Sequence, residues 1–261
     1  MLRCLVFLLF VLSAVQAKSQ KWEFGVQAGA AGYQGDLNQR NPLQVSGSMA
    51  GLFIRYNING YLSLKASASK AQIEGADSTS KNLQQRSRNL SFYTPINEFA
   101  LVGEFNFFEY LPGSGYNSFT PFIYAGIASV NYNPQATYKN QTYDLRPLNT
   151  EGNSTLYKSS AFAIPFGAGV KYNLFGKLSL TADIGYRSAY TDYLDDVSGN
   201  YADRRIFTDP VAFALSDRTG ERTGVYTGVA GTQRGDGRKH DTYMFFGIGV
   251  SYTFISKNCY Y

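Results

Sequence analysis

Large apolar side chains recur at every second position in a series of short segments, a period that fits β-strands and not helices. Residues 242–254 show it best: Met244, Phe246, Ile248, Val250, Tyr252 and Phe254 share one face, and Gly247, Gly249, Ser251 and Thr253 the other. Large apolar groups on one face and small or polar ones on the other suit a wall between lipid and a packed lumen. The pattern recurs upstream. Residues 22–32 put Trp22, Phe24, Val26 and Ala28 outward and Glu23, Gly25, Gln27 and Gly29 inward. Residues 48–56 set Leu52, Ile54 and Tyr56 against Phe53 and Arg55, and residues 61–70 set Leu62, Leu64, Ala66 and Ala68 against Ser63, Lys65, Ser67 and Ser69. Residues 96–107 point Phe99, Leu101, Phe105 and Phe107 outward and Glu98, Glu104 and Asn106 inward, and residues 120–132 point Phe122, Tyr124, Val130 and Tyr132 outward. Residues 162–172 present Ile164, Phe166, Val170 and Tyr172 over an inward Lys171, and residues 178–186 present Leu180, Ile184 and Tyr186 over Thr181 and Asp183, with Arg187 next inward. The sum is about eight strands, each near the ~9–11 residues of a tilted transmembrane strand.

The connections alternate in length. Short ones at 57–60 and 173–177 carry Asn and Gly, and a medium one at 109–118 carries Pro112 and Gly113. Long ones fall at 33–45, 75–94, 133–159 and 191–239. The expected fold is therefore all-β: a closed antiparallel transmembrane β-barrel of about eight strands, with short periplasmic turns and long extracellular loops. Composition agrees, with 16% aromatic and only 16% charged residues, against ~25% charged in ordinary soluble domains. At the N-terminus, Arg3, an apolar run over 5–12, and Val15 and Ala17 before Lys18 read as a signal peptide over 1–17. The barrel is then expected over 18–261, in the bacterial outer membrane, ending in a short periplasmic tail at 255–261.

Predicted inward charges balance: Glu23, Glu98, Glu104 and Asp183 against Arg55, Lys65, Lys171 and Arg187. Because eight strands enclose a space just wide enough for side chains, these read as an ion-pair network that closes the lumen, with Asp183 or Glu104 facing Arg187. Catalytic chemistry is not expected. His240, the only histidine, sits between Lys239 and Asp241 with no serine suggested beside it, and no His/Cys metal spacing or phosphate loop occurs. No cofactor and no nucleic-acid partner are expected. Asp192, Asp195 and Asp196 offer oxygen ligands for Ca²⁺, while the simpler reading has them capping turns and facing water. The basic residues of the same loop, among them Arg204, Arg205, Arg218, Arg234 and Arg238, read as solvated and paired with its own aspartates. Cleavage after Ala17 would remove Cys4 and leave Cys259 to form an intermolecular disulfide or remain a free thiol.

Three stretches carry a family resemblance: Tyr33, Gly35, Asp36 and Leu37 after the first strand; Thr191, Asp192, Tyr193, Asp195 and Asp196 after the seventh; and Ser216, Asp217 and Arg218 in the last loop. Together they resemble the PorG family, outer-membrane components of the type IX secretion system of Bacteroidota, also grouped as DUF6089-like barrels. The resemblance implies a non-enzymatic barrel, with outer-membrane lipid around it, that anchors a periplasmic ring of a PorK-like lipoprotein and a PorN-like partner. Cys259 near the C-terminus fits the same pattern. The competing readings are a general structural or adhesive surface barrel and, behind it, a lipid-modifying barrel enzyme.

Overall fold

Alternation over an even number of neighbouring strands is satisfied when the sheet closes on itself, and the chain does close. A computed structural model describes residues 21–112, 117–221 and 224–255. The expected signal peptide and Cys259 lie outside the described residues. Eight strands build the wall: β1 (Lys21–Gln34), β2 (Val45–Asn57), β3 (Leu62–Ala76), β4 (Ser91–Asn106), β5 (Phe119–Tyr132), β8 (Ser160–Phe175), β9 (Leu178–Ala189) and β10 (Thr242–Ile255). Each pairs antiparallel with its chain neighbour, β10 returns to pair with β1, and a small hairpin of β6 (Gln135–Tyr138) and β7 (Gln141–Asp144) extends one end of β4. No wall strand is thus left with an unpaired edge, the condition for crossing lipid. No helix among the described residues is long and apolar enough to cross a membrane.

The wall strands run to 12–16 residues, longer than expected from the alternation. The extra length continues past the membrane, and there the two faces exchange character. Near the short turns, Phe24, Val26, Leu52, Leu64, Phe105, Val250 and Phe254 face out, while charged residues fill the inside. An aromatic girdle marks this rim, with Trp22 on Tyr56 at 4.8 Å and Phe24 on Phe254 at 5.3 Å. Towards the long loops the exterior of β3 turns to Lys70, Gln72 and Glu74, and the interior becomes an apolar core of Ala31, Ile73, Phe92, Ile96, Val130 and Phe245. This upper section is a water-exposed β-protein standing on a membrane barrel.

The exchange corrects two expected facings. Phe122, Tyr124, Val130 and Tyr132 all point inward and are buried, whereas Phe119, Ile123 and Ile127 take the outside of β5. The stretch offers apolar residues at both parities, and inward Gly167, Gly169 and Gly185 leave the room that the Phe122 and Tyr124 rings occupy. Met244 keeps the outward parity yet is buried, lying beside Gly32 and the backbone of Gln44. The long connections are also not open loops. They fold into a cap with short helices α1 (Leu83–Arg88), α2 (Leu145–Leu148) and α3 (Pro210–Ser216), whose Leu37, Leu90, Leu145, Leu194, Val197 and Leu215 join the core of the upper barrel.

Candidate functional site

Inside the membrane section, all eight expected lumen charges are buried. Near the turn rim the Arg55 guanidinium reaches Glu23 and Glu104, each at 2.8 Å, and Lys171 Nζ reaches Glu104 at 2.6 Å. Asn57 and Ser251 donate to Glu23, and Asn106 accepts from Lys171, which ties these polar side chains into the layer. Higher up, Arg187 pairs with Glu98 at 3.3 Å, and the Tyr243 hydroxyl donates to the same carboxylate at 2.6 Å. Glu98, and not Asp183 or Glu104, is therefore the partner of Arg187; facing shows which residues enter the lumen but not their heights on different strands. Asp183 accepts from the Tyr124 hydroxyl at 3.2 Å. Lys65 donates to Gln27 at 3.2 Å and lies over the Phe53 ring. Ion pairs, amides and rings thus occupy the bore.

Above it, the three resembling stretches meet in the cap. Tyr33, at the top of β1, donates its hydroxyl to Asp195 at 2.5 Å and lies 3.3 Å from Asp241. Gly35 permits this approach, since a Cβ there would collide with the Asp241 carboxylate and the Tyr33 hydroxyl. Asp36 accepts from the Asp236 amide, and Leu37 packs with Leu194, Val197 and Leu215. Thr191 shares a hydrogen bond with the Tyr132 hydroxyl at 2.8 Å, and Tyr193 stacks on Tyr157 at 4.3 Å. Asp196 accepts from Thr150 and Tyr157, at 2.5 and 2.6 Å. Asp217 gathers the Thr219 amide and hydroxyl and the Gly228 amide, Ser216 donates to the Phe213 carbonyl, and Arg218 pairs with Glu221 and reaches Ser91.

Two expectations about this loop change. Asp192, Asp195 and Asp196 do not face water: each is buried, Asp195 and Asp196 to within 2% exposure. Arg234 is buried as well, bound to Glu151 of another loop at 3.0 Å and to the Asp196 carbonyl. Arg205 and Arg238 do pair with their own loop's Asp203 and Asp236. The alternation rule has no purchase on a long polar loop, so burial there was invisible in the sequence. Arg88, which the sequence did not single out, clamps the cap: it takes Asp77 with both arms, at 2.7 and 2.8 Å, and donates to the carbonyls of Asp36 and Arg234.

Burial drives the acids of the cap upward. Asp36 rises to about 7 through burial and the Asp236 carboxylate, Asp192 to about 6 through burial, and Asp196 to about 6 through burial that Arg234 only partly offsets. Asp195 and Asp241 are pushed well above the usual carboxylate range, by burial and then by neighbouring carboxylates. His240 is exposed and rests against the Tyr190 ring at 4.7 Å.

A family model described as "Domain of unknown function (DUF6089)" matches residues 2–209, a range that holds seven of the eight wall strands and the first two resembling stretches. The chain belongs to the DUF6089 family. No curated protein matches its sequence. Among solved structures, this DUF6089 barrel is similar to Neisserial surface protein A, at 9% identity over 89% of this chain and 97% of that one, with a TM-score of 0.45. The N-terminal β-barrel domain of Pseudomonas aeruginosa OprF is similar at 13% identity over 89% and 97%, with a TM-score of 0.39. The outer membrane enzyme PagL is similar at 13% identity over 88% and 98%, with a TM-score of 0.35. Likeness this loose adds nothing about activity. The membrane assignment comes from the wall: a closed β-barrel with an apolar outside, an aromatic rim and a charged, packed inside is an outer-membrane protein.

Proposed function

We propose that this DUF6089 barrel is a non-enzymatic outer-membrane component of the type IX secretion system that anchors a periplasmic ring of a PorK-like lipoprotein and a PorN-like partner. The observation that carries the reading is the meeting of the three PorG-resembling stretches in one buried, hydrogen-bonded cap over a filled bore. Residues spent on fastening a cap and closing a lumen suit a protein that works by holding others. On this reading the termini and short turns face the periplasm, and Cys259 is the point of a covalent tether to the ring.

Purification of the tagged chain from native outer membranes tests the reading. The two ring proteins should co-purify, and a thiol-blocked sample should show a higher-mass species on non-reducing gels that Cys259→Ser abolishes. An intact ring in cells lacking this chain, with secretion unchanged, would overturn the role. Absence of the species alone would overturn only the tether.

A second reading has its own observation. The cap exposes Leu83, Ile206, Val225, Tyr226 and Val229, apolar groups beyond the membrane that suit adhesion at the cell surface.

A further inference from the structure

Three carboxylates that approach each other from distant parts of the chain form the core of the cap's acidic region. One oxygen each from Asp36, Asp192 and Asp241 lies within 4.8 Å of the other two, and all three residues are buried. They come from the turn after β1, the turn after β9 and the residue just before β10, so no local turn preference explains their meeting. We propose that Asp36, Asp192 and Asp241 bind a hard divalent cation, Ca²⁺ by chemical preference, that locks the cap.

Two observations beyond the cluster itself point to a ligand. Asp36 Oδ2 and Asp192 Oδ1 are buried and have no hydrogen-bond partner, although Asp36 is only 1% exposed. Buried oxygens of this kind are rare because losing water without gaining a donor is costly. The other oxygens of the site are held in place: Asp36 Oδ1 accepts from the Asp236 amide, and Asp241 Oδ2 from the Leu194 amide at 3.0 Å. In Asp36 one oxygen is thus fixed by the backbone while its fellow is unpaired, and in Asp241 the second oxygen has only the long 3.3 Å contact from the Tyr33 hydroxyl. Second, Asp192 and Tyr193 line a cavity of about 550 Å³, bounded also by Tyr190, Ser198, Lys158, Arg238 and Lys239, so a cation reaching Asp192 from this side passes three basic side chains.

The charge count favours a cation over proton sharing alone. Among the described residues no basic group forms an ion pair with Asp36, Asp192 or Asp241: Arg88 pairs with Asp77, Arg234 with Glu151 and Arg238 with Asp236. The donor set is all oxygen, with neither histidine nor cysteine, which selects Ca²⁺ or Mg²⁺ over the softer transition metals. Three donors from the chain leave room for waters from the cavity, and Ca²⁺ tolerates the irregular geometry that results. Binding would join the ends of β1, β9 and β10, and with them the loops that close the barrel. The site stands whether or not the chain serves secretion.

The full chain, folded in detergent micelles, is titrated with Tb³⁺, whose emission nearby tyrosines sensitise; the Tyr33 hydroxyl lies 3.3 Å from the Asp241 carboxylate. The expected result is saturable emission displaced by Ca²⁺ or Mg²⁺, together with cation-dependent slowing of amide exchange at Leu194 and Asp236. Asp192→Asn and Asp36→Asn should each weaken Ca²⁺ binding about tenfold or more, because affinity follows the ligand charge count. Asp203→Asn, an exposed acid paired with Arg205, should change nothing. If one ligand variant fails to fold by its unboiled gel mobility, the other variant and the wild-type titration still decide. Emission that neither Ca²⁺ nor Mg²⁺ displaces, binding unchanged in both ligand variants, or amide protection that ignores the cation would overturn the site.

Discussion

At the scale of single residues, most of the chemistry is buried charge, and its cost depends on what each group has lost and found. Arg55 answers two carboxylates inside the lumen. Replacing it with leucine leaves Glu23 and Glu104 short of a counter-charge, a loss on the order of 3–5 kcal/mol for a broken buried pair. Lys65 has no carboxylate at ion-pair distance among the described residues, and its ammonium rests on Gln27 and Phe53. Urea unfolding in detergent should therefore show Arg55→Leu falling well below Lys65→Leu in stability; equal losses would contradict the assigned pairing. Asp196 carries a pH dependence whose sign follows from its raised pKa of about 6. A carboxyl whose folded pKa exceeds its unfolded one favours the fold below pH 4, and that contribution is lost as pH rises through 6. Asp196→Asn removes the ionisation, so the wild type should lose cap protection relative to the variant between pH 4 and 7, as followed by amide exchange at loop positions.

At the scale of elements, the sequence was legible wherever a strand faces lipid on one side and charge on the other. Residues 96–107, 162–172 and 178–186 show the facing that their alternation implies, because lipid tolerates only one class of side chain. Legibility failed on β5, where a second apolar face serves the core of the upper barrel, and in the cap, where buried Asp192, Asp195 and Asp196 look like any polar loop. The motifs that carry the family resemblance lie in this cap, but neither they nor any period foretold its burial. The hairpin tip at Lys139 and Asn140, both at positive φ, is exposed on the cap side. The Gly176 turn, with φ +56° and open space around it, stands at the opposite rim. A tag inserted at the hairpin tip should be labelled on intact cells, and one at Gly176 only after the outer membrane is opened; the reverse pattern would invert the molecule.

At the scale of the whole molecule, buried ion pairs and rings occupy the bore among the described residues, and large pores need many more strands than eight. The purified barrel in planar bilayers should give no steady, ion-selective conductance. Sustained single-channel steps that change selectivity on neutralising Arg55 or Glu104 would refute a sealed lumen.

The height of the apolar belt is unequal around the wall, and this sets how the molecule rides in its membrane. On β8 the outward series Phe162, Ile164, Phe166, Ala168, Val170 and Tyr172 climbs roughly 25 Å along the barrel axis, at ~3.3 Å per residue and a ~40° tilt. On β2, across the barrel, the outward series from Ala50 to Tyr56 climbs only about 15 Å by the same measure, with Ser48 above it. The neighbouring β3 ends its apolar run at Ala68, and Lys70 follows, facing Asn97 across the pair. A bilayer of even thickness cannot match both sides. Either the barrel axis leans until the short wall is covered, or the lipid thins beside β2 and β3 while Lys70 reaches for the headgroups. Hydrophobic mismatch of this kind makes one flank of the barrel the place where lipid is under most stress, and so the flank where contact with a neighbouring membrane protein relieves the most.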